Sequence, residues 1–233
     1  MKSSENKKAM KVLSSALFIA IAWVVLCSLA VADSVTIGSN TGANVFPFGD
    51  PNYGTFIGIG EYQQLYAASA FSGPVDITGI TFFPGSVFPG TISGNYSISL
   101  STTTVALDSL STTYANNIGA DNSLFFSGSV SDVMTFSGGP FLYDPSNGNL
   151  LMDVLVVTPN SVLVDFAFGD SLDTSRVAYI GATGQLGQFV ERAGLQTQFT
   201  FTPAANVPEP STVLLFGTGL LGLGVSLKRK FFS

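Results

Sequence analysis

Hydrophobic and polar residues alternate with a period of two through much of this chain. In "NYSISLST", Tyr96, Ile98 and Leu100 alternate with Asn95, Ser97, Ser99 and Ser101, which predicts a half-buried strand with one polar face. "VDITGITFF" (75–83), "LLMDVLVV" (150–157), "SVLVDFAF" (161–168) and "LQTQFTFT" (195–202) read as further strands, alternating or buried on both faces. The turn signals "FSGP", "FPGS", "DPSNGN" and "TPNS" punctuate them at short intervals. Together they predict an all-β fold, an antiparallel β-sandwich of jelly-roll-like design. "VALDSLSTTYANNIGADN" (105–122) lacks alternation and is expected to hold a long loop or a short helical turn.

Both ends depart from this pattern. Lys2, Lys7, Lys8 and Lys11 precede an uncharged apolar run, Val12 to Val31, the layout of a secretory signal peptide with its helix. In "SLAVAD", Ala30 and Ala32 occupy the small-residue positions before a cut, so signal peptidase is expected to leave Asp33 as the new N-terminus. Cys27 follows the bulky Leu26 where lipidation would require a small residue, so a lipoprotein is rejected. At the other end, Ser211 to Leu227 is a 17-residue stretch without a charge. As a helix it would be roughly 25 Å long, just enough to span a bilayer core. Lys228, Arg229 and Lys230 then act as a stop-transfer cluster held in the cytoplasm. The chain thus divides into a signal peptide (1–32), one exported domain (33–207) and a C-terminal segment (208–233).

Pro208, Glu209 and Pro210 stand immediately before the apolar, glycine-rich stretch and its basic end. This ordered set resembles the PEP-CTERM sorting signal of Gram-negative bacteria that make exopolysaccharide. The resemblance implies recognition of the tripeptide by an exosortase-like membrane protease, which releases or transfers the protein, so that the helix is a temporary tether. The two prolines hold the tripeptide extended, a shape a protease can grip. The implied partners are the Sec export machinery, signal peptidase, an exosortase and exopolysaccharide. The implied destination, after transient anchoring in the inner membrane, is the cell surface or extracellular matrix. "YQQLYAASAFSGPVDITGITFF", "YSISLSTT", "YANNIGADNSLFFSGSV" and "FLYDPSNGNLLMDVLV" also resemble a body type that recurs among PEP-CTERM exported proteins, one that brings no activity with it.

Charge narrows the functions open to the exported part. Residues 33–207 carry two cations, Arg176 and Arg192, against thirteen carboxylates, a net charge of −11. Such a surface repels phosphate backbones and argues against nucleic-acid binding. The chain has no histidine, and its one cysteine lies in the signal peptide. Thiol proteases, Ser-His-Asp hydrolases and His/Cys zinc sites are thereby excluded, leaving carboxylate chemistry or an oxygen-ligated cation.

Within "YDPSNGNLLMD", Asp144, Asn147 and Asn149 offer oxygens suited to Ca²⁺, but the EF-hand spacing is absent and a turn is the expected reading. Asp170 and Asp173 in "GDSLD" form a second acidic turn. Asp153 and Asp165 interrupt apolar runs, which ordinarily marks the solvent face of a sheet. A glycosidase needs two carboxylates about 5–10 Å apart across a cleft, and alternation selects no such pair. "GATGQLGQF" (181–189) has spaced glycines but no lysine and no phosphate-loop context. No catalytic residue, resident metal or cofactor is expected. The expected role is structural or adhesive, with a carbohydrate-binding module as the alternative and a carboxylate-dependent glycan-active enzyme behind it.

Overall fold

The computed structural model describes residues 32–52, 60–178 and 189–204, all within the second of two units, Ala32–Ser233, into which the chain divides. The expected signal helix and the expected membrane helix 211–227 lie outside the described residues. Among the described residues, no helix is long and apolar enough to cross a membrane.

The fold is all-β, with antiparallel sheets, and among the described residues helical structure is limited to three single 3-10 turns, 68–70, 114–116 and 145–147. A four-stranded sheet takes the order β1 (Asp33–Ile37), β13 (Thr197–Pro203), β4 (Val75–Phe82) and β7 (Thr135–Tyr143). A six-stranded sheet runs β11 (Phe189–Glu191), β10 (Thr174–Ala178), β3 (Gly60–Tyr66), β8 (Asn149–Thr158), β5 (Ile92–Thr103) and β6 (Ser123–Val133). A small third sheet joins β12 (Ala193–Leu195), β9 (Phe166–Asp170) and β2 (Gly42–Asn44).

Alternation in β5 has the predicted outcome: Tyr96, Ile98 and Leu100 are fully buried. The predicted strand at 161–168 is shortened, because Ser161–Asp165 forms a loop and pairing begins at Phe166. The segment at 195–202 is interrupted at Gln196, which separates β12 from β13.

Side chains from both large sheets meet in one core. Tyr66 of β3 packs edge-on against Phe199 of β13, with centroids 4.8 Å apart. Phe48, carried in by the loop after β2, touches Phe82 at 4.7 Å, Tyr96 at 5.2 Å and Phe166 at 5.9 Å. Each such ring contributes about 1.5–3 kcal/mol by leaving water, and the tilted geometries suit the ring quadrupoles. With no cysteine in residues 32–233, this packing replaces covalent staples.

Segment 104–122 lies as a strap over the other face of the six-stranded sheet. Its Leu110 and Tyr114 pack on Leu65, Leu151 and Val177 in a second, smaller core. The 3-10 turn at Tyr114–Asn116 fulfils the expectation of a loop with a helical turn.

Candidate functional site

Of the residues expected to carry sorting, Pro208, Glu209, Pro210, Lys228, Arg229 and Lys230 lie outside the described residues, as does Ala30. Ala32 is exposed, and Asp33 opens β1, its carboxylate accepting from the Ser34 amide at 2.7 Å. β1 pairs antiparallel with β13, placing Asp33 opposite Phe201. The Ala204 amide still donates to Pro74 O at 3.0 Å. Only residues 205–207 separate Ala204 from Pro208. Even fully extended, the chain from Ala204 to Pro208 reaches about 14 Å.

The loop considered for Ca²⁺ is tied up by its own backbone. Asp144 Oδ1 accepts from the Ser146 amide at 2.9 Å and from its hydroxyl at 2.7 Å, and these bonds lower its pKa. Asn149 Oδ1 accepts from the Ala68 amide, and its Nδ2 donates to Val105 O. Gly148 closes the turn at φ 144°, whereas Asn147 stays outside the positive-φ region. Among the described residues, no three acidic side chains gather as a cation site. In the second acidic turn, Asp170 and Arg192 flank a shallow open depression, and the Arg192 guanidinium donates to Leu172 O.

Asp153 and Asp165 correct the sequence reading, since neither faces solvent: they are 9% and 2% exposed. Asp165 Oδ2 accepts from the Val87 and Phe88 amides, both at 3.0 Å, and so braces the 83–91 loop. Asp165 sits in that loop junction, whereas Asp153 lies within β8.

The partner of Asp153 is instead Glu61. Register places Gln63 of β3 directly opposite Asp153, and Glu61 one step along the same face, opposite Leu155. The two carboxyls are diagonal neighbours on that face, close enough that each perturbs the other. Burial is the first cause of the upward shift of both, Glu61 to about 7 and Asp153 to about 6, and the neighbouring carboxylate raises Glu61 further. Asp153 Oδ1 is buried without a partner. Gln63 bridges to the strap, accepting from Asn117 Nδ2 at 2.8 Å and donating to Tyr114 O at 3.2 Å. Glu61 had no mark in the sequence beyond being one of thirteen acids. The available signal was Asp153, a charge amid "LLMDVLVV".

The nearest cation in sequence to this face, Arg176, is turned away from it. It lies opposite Gln64, on the core side of the sheet, where Nε donates to Glu191 at 2.6 Å and the guanidinium sits 4.1 Å from the Phe168 ring centroid. A buried cation so paired is a structural element of the β10–β11 edge.

Residues 206–230 match the PEP-CTERM protein-sorting motif. The chain therefore carries an exosortase-type sorting signal, which marks an exported protein, transiently anchored in the membrane and processed by exosortase-type machinery. No curated protein and no solved structure matches the chain.

Proposed function

We propose that this protein is a non-enzymatic structural or adhesive component of the cell surface or exopolysaccharide matrix, delivered there after removal of its C-terminal tether. The carrying observation is the sorting motif at 206–230, which ends in the membrane segment and cations expected of a temporary anchor. The core shared between the two large sheets supports a two-layer, jelly-roll-like sandwich as the delivered body. Three further features favour a structural role. The neighbouring carboxyls, Glu61 and Asp153, lie side by side on one sheet face rather than facing each other across a cleft. Histidine and exported cysteine are missing from the sequence. The aromatic side chains whose burial is described are spent mainly on the core, with Phe88 the one that is half exposed.

The test replaces Pro208, Glu209 and Pro210 by alanine in a host that has an exosortase, followed by fractionation and mass spectrometry of the released C-terminus. The unprocessed variant is expected to accumulate in the inner membrane, because span and cations remain while the recognition element is lost. Release at the normal rate with the normal terminus would leave a plain tail anchor. Saturable binding of the released protein to a defined glycan would favour the carbohydrate-binding module instead.

A further inference from the structure

We propose that the pole of the body formed by loops 83–91 and 159–165 is a self-association surface, through which two copies of this chain meet. Val87 and Phe88 of the first loop and Val162 and Leu163 of the second are each between 46% and 62% exposed. The loops run side by side: the Asp165 amide donates to Phe88 O at 2.8 Å, Pro89 pairs in parallel with Asp165, and Asn160 Nδ2 donates to Thr91 O at 2.9 Å. The four side chains therefore form one apolar patch on the order of 300–400 Å², a size that on a single chain often marks a contact surface.

This surface is set before a partner arrives. Asp165 Oδ2 holds the Val87 and Phe88 amides, and the Val164 amide donates to Gly49 O at 3.0 Å while its side chain is buried in the core. Pro84, Pro89 and Pro159 restrict the backbone further. Loops so braced lose little freedom on docking.

Position and charge select a second copy as the occupant. Asp33 lies opposite Phe201 and Pro203 opposite Val75, at the start of β4, whereas loop 83–91 leaves from the end of β4, Phe82. The strand between them is about 25 Å long. From Ala204 the chain reaches only about 14 Å to Pro208, so the sorting tripeptide falls short of the patch. Residues 83–91 and 159–164 carry no charged side chain, although residues 33–207 have a net charge of −11. Asp50, next to Gly49, and Asp132, which accepts from Thr91 Oγ1, stand at the rim. An anionic lipid surface would find no cation here, whereas an identical copy brings an equally uncharged patch. Two acidic bodies oppose each other least at this pole. Two patches with their rims would bury about 1,000 Å², the low end for a specific contact, so the pairing is reversible and isologous.

The experiment inserts the full-length chain singly into lipid nanodiscs and follows association of the discs by sedimentation over a range of concentrations at low and high salt. Disc pairs are expected, and more of them at high salt, because screening weakens the acid–acid repulsion and spares the apolar contact. Val87→Asp and Val162→Asp, one on each loop, are each expected to weaken pairing about tenfold or more, since symmetry brings every substitution into the contact twice. The two sites are independent, so one folded variant is enough. Leu172→Asp, at an exposed leucine in the second acidic turn, is expected to leave pairing unchanged. Absence of pairing in the wild type overturns the proposal, as does undiminished pairing in a folded patch variant or an equal loss in Leu172→Asp. Patch-dependent binding to protein-free discs in place of pairing would assign the patch to a lipid surface and overturns it too.

Discussion

Asp33 lies directly across from Phe201 in the antiparallel pairing of β1 with β13. The expected cut site of the signal peptide and the strand that leads toward the sorting motif are thus neighbours in one sheet. The residue expected to open the exported chain is built into the fold, and a cut several residues further on would remove a strand rather than trim a tail.

Exported material is accordingly expected to begin at Asp33 by N-terminal sequencing or intact mass. Removing residues 33–37 would bare the edge of β13 and take away the core side chain of Ile37, now 3% exposed, at a cost of roughly 2–4 kcal/mol. A mature chain that starts beyond Ile37 with undiminished stability would contradict this role for β1.

Phe199→Ala should destabilise the body by about 3–5 kcal/mol, read from denaturant midpoints, since it empties a fully buried site that bridges the sheets. Tyr66→Phe keeps the ring and removes the hydroxyl contact with Thr197 Oγ1 at 2.9 Å, so a smaller loss of about 1 kcal/mol is expected. Equal effects from the two would mean that ring packing is not what joins the sheets there.

Asp165→Ala leaves the Val87 and Phe88 amides without their acceptor. A loss of about 2 kcal/mol is expected, together with new proteolytic cleavage within 84–90. Unchanged resistance to protease would show that the loop is held without the carboxylate.

Stability should decline between about pH 5 and pH 8. The folded state raises Glu61 from 4.5 to about 7 and Asp153 from 3.8 to about 6, so it binds protons more tightly than the unfolded chain. Destabilisation begins above the unfolded values and is complete once pH passes the folded ones. Asp144 acts in the opposite sense, since its lowered pKa adds stability that is lost only as pH falls through the acid range. After allowance for solvent screening at Glu61, the decline is roughly 1–2 kcal/mol. Denaturant titrations at the two pH values measure it, and Glu61→Gln should flatten the profile.

Reductant should leave the melting temperature of the exported form unchanged, because Cys27 is the only cysteine and lies in the segment expected to be removed. A shift with reductant would show that Cys27 is retained.

The sequence by itself determined what local chemistry can encode. A period of two in "NYSISLST" specifies a strand and its buried face, because successive side chains point to opposite sides wherever that strand pairs. The PEP-CTERM motif is likewise linear, legible as the order Pro208-Glu209-Pro210, apolar run, Lys228-Arg229-Lys230. Asp144 could be read as a turn residue because its carboxylate bonds two residues along its own chain. Tertiary structure alone decided the rest. Asp153 reads as a solvent-facing charge until β3 pairs with β8 and the strap covers that face, which brings together segments far apart in sequence. Asp165 is buried by a loop from the other side of β5, and the break at Gln196 arises where the chain leaves the small sheet for the four-stranded one. Burial depends on which distant segment arrives to exclude water, and alternation along one strand carries no record of that segment.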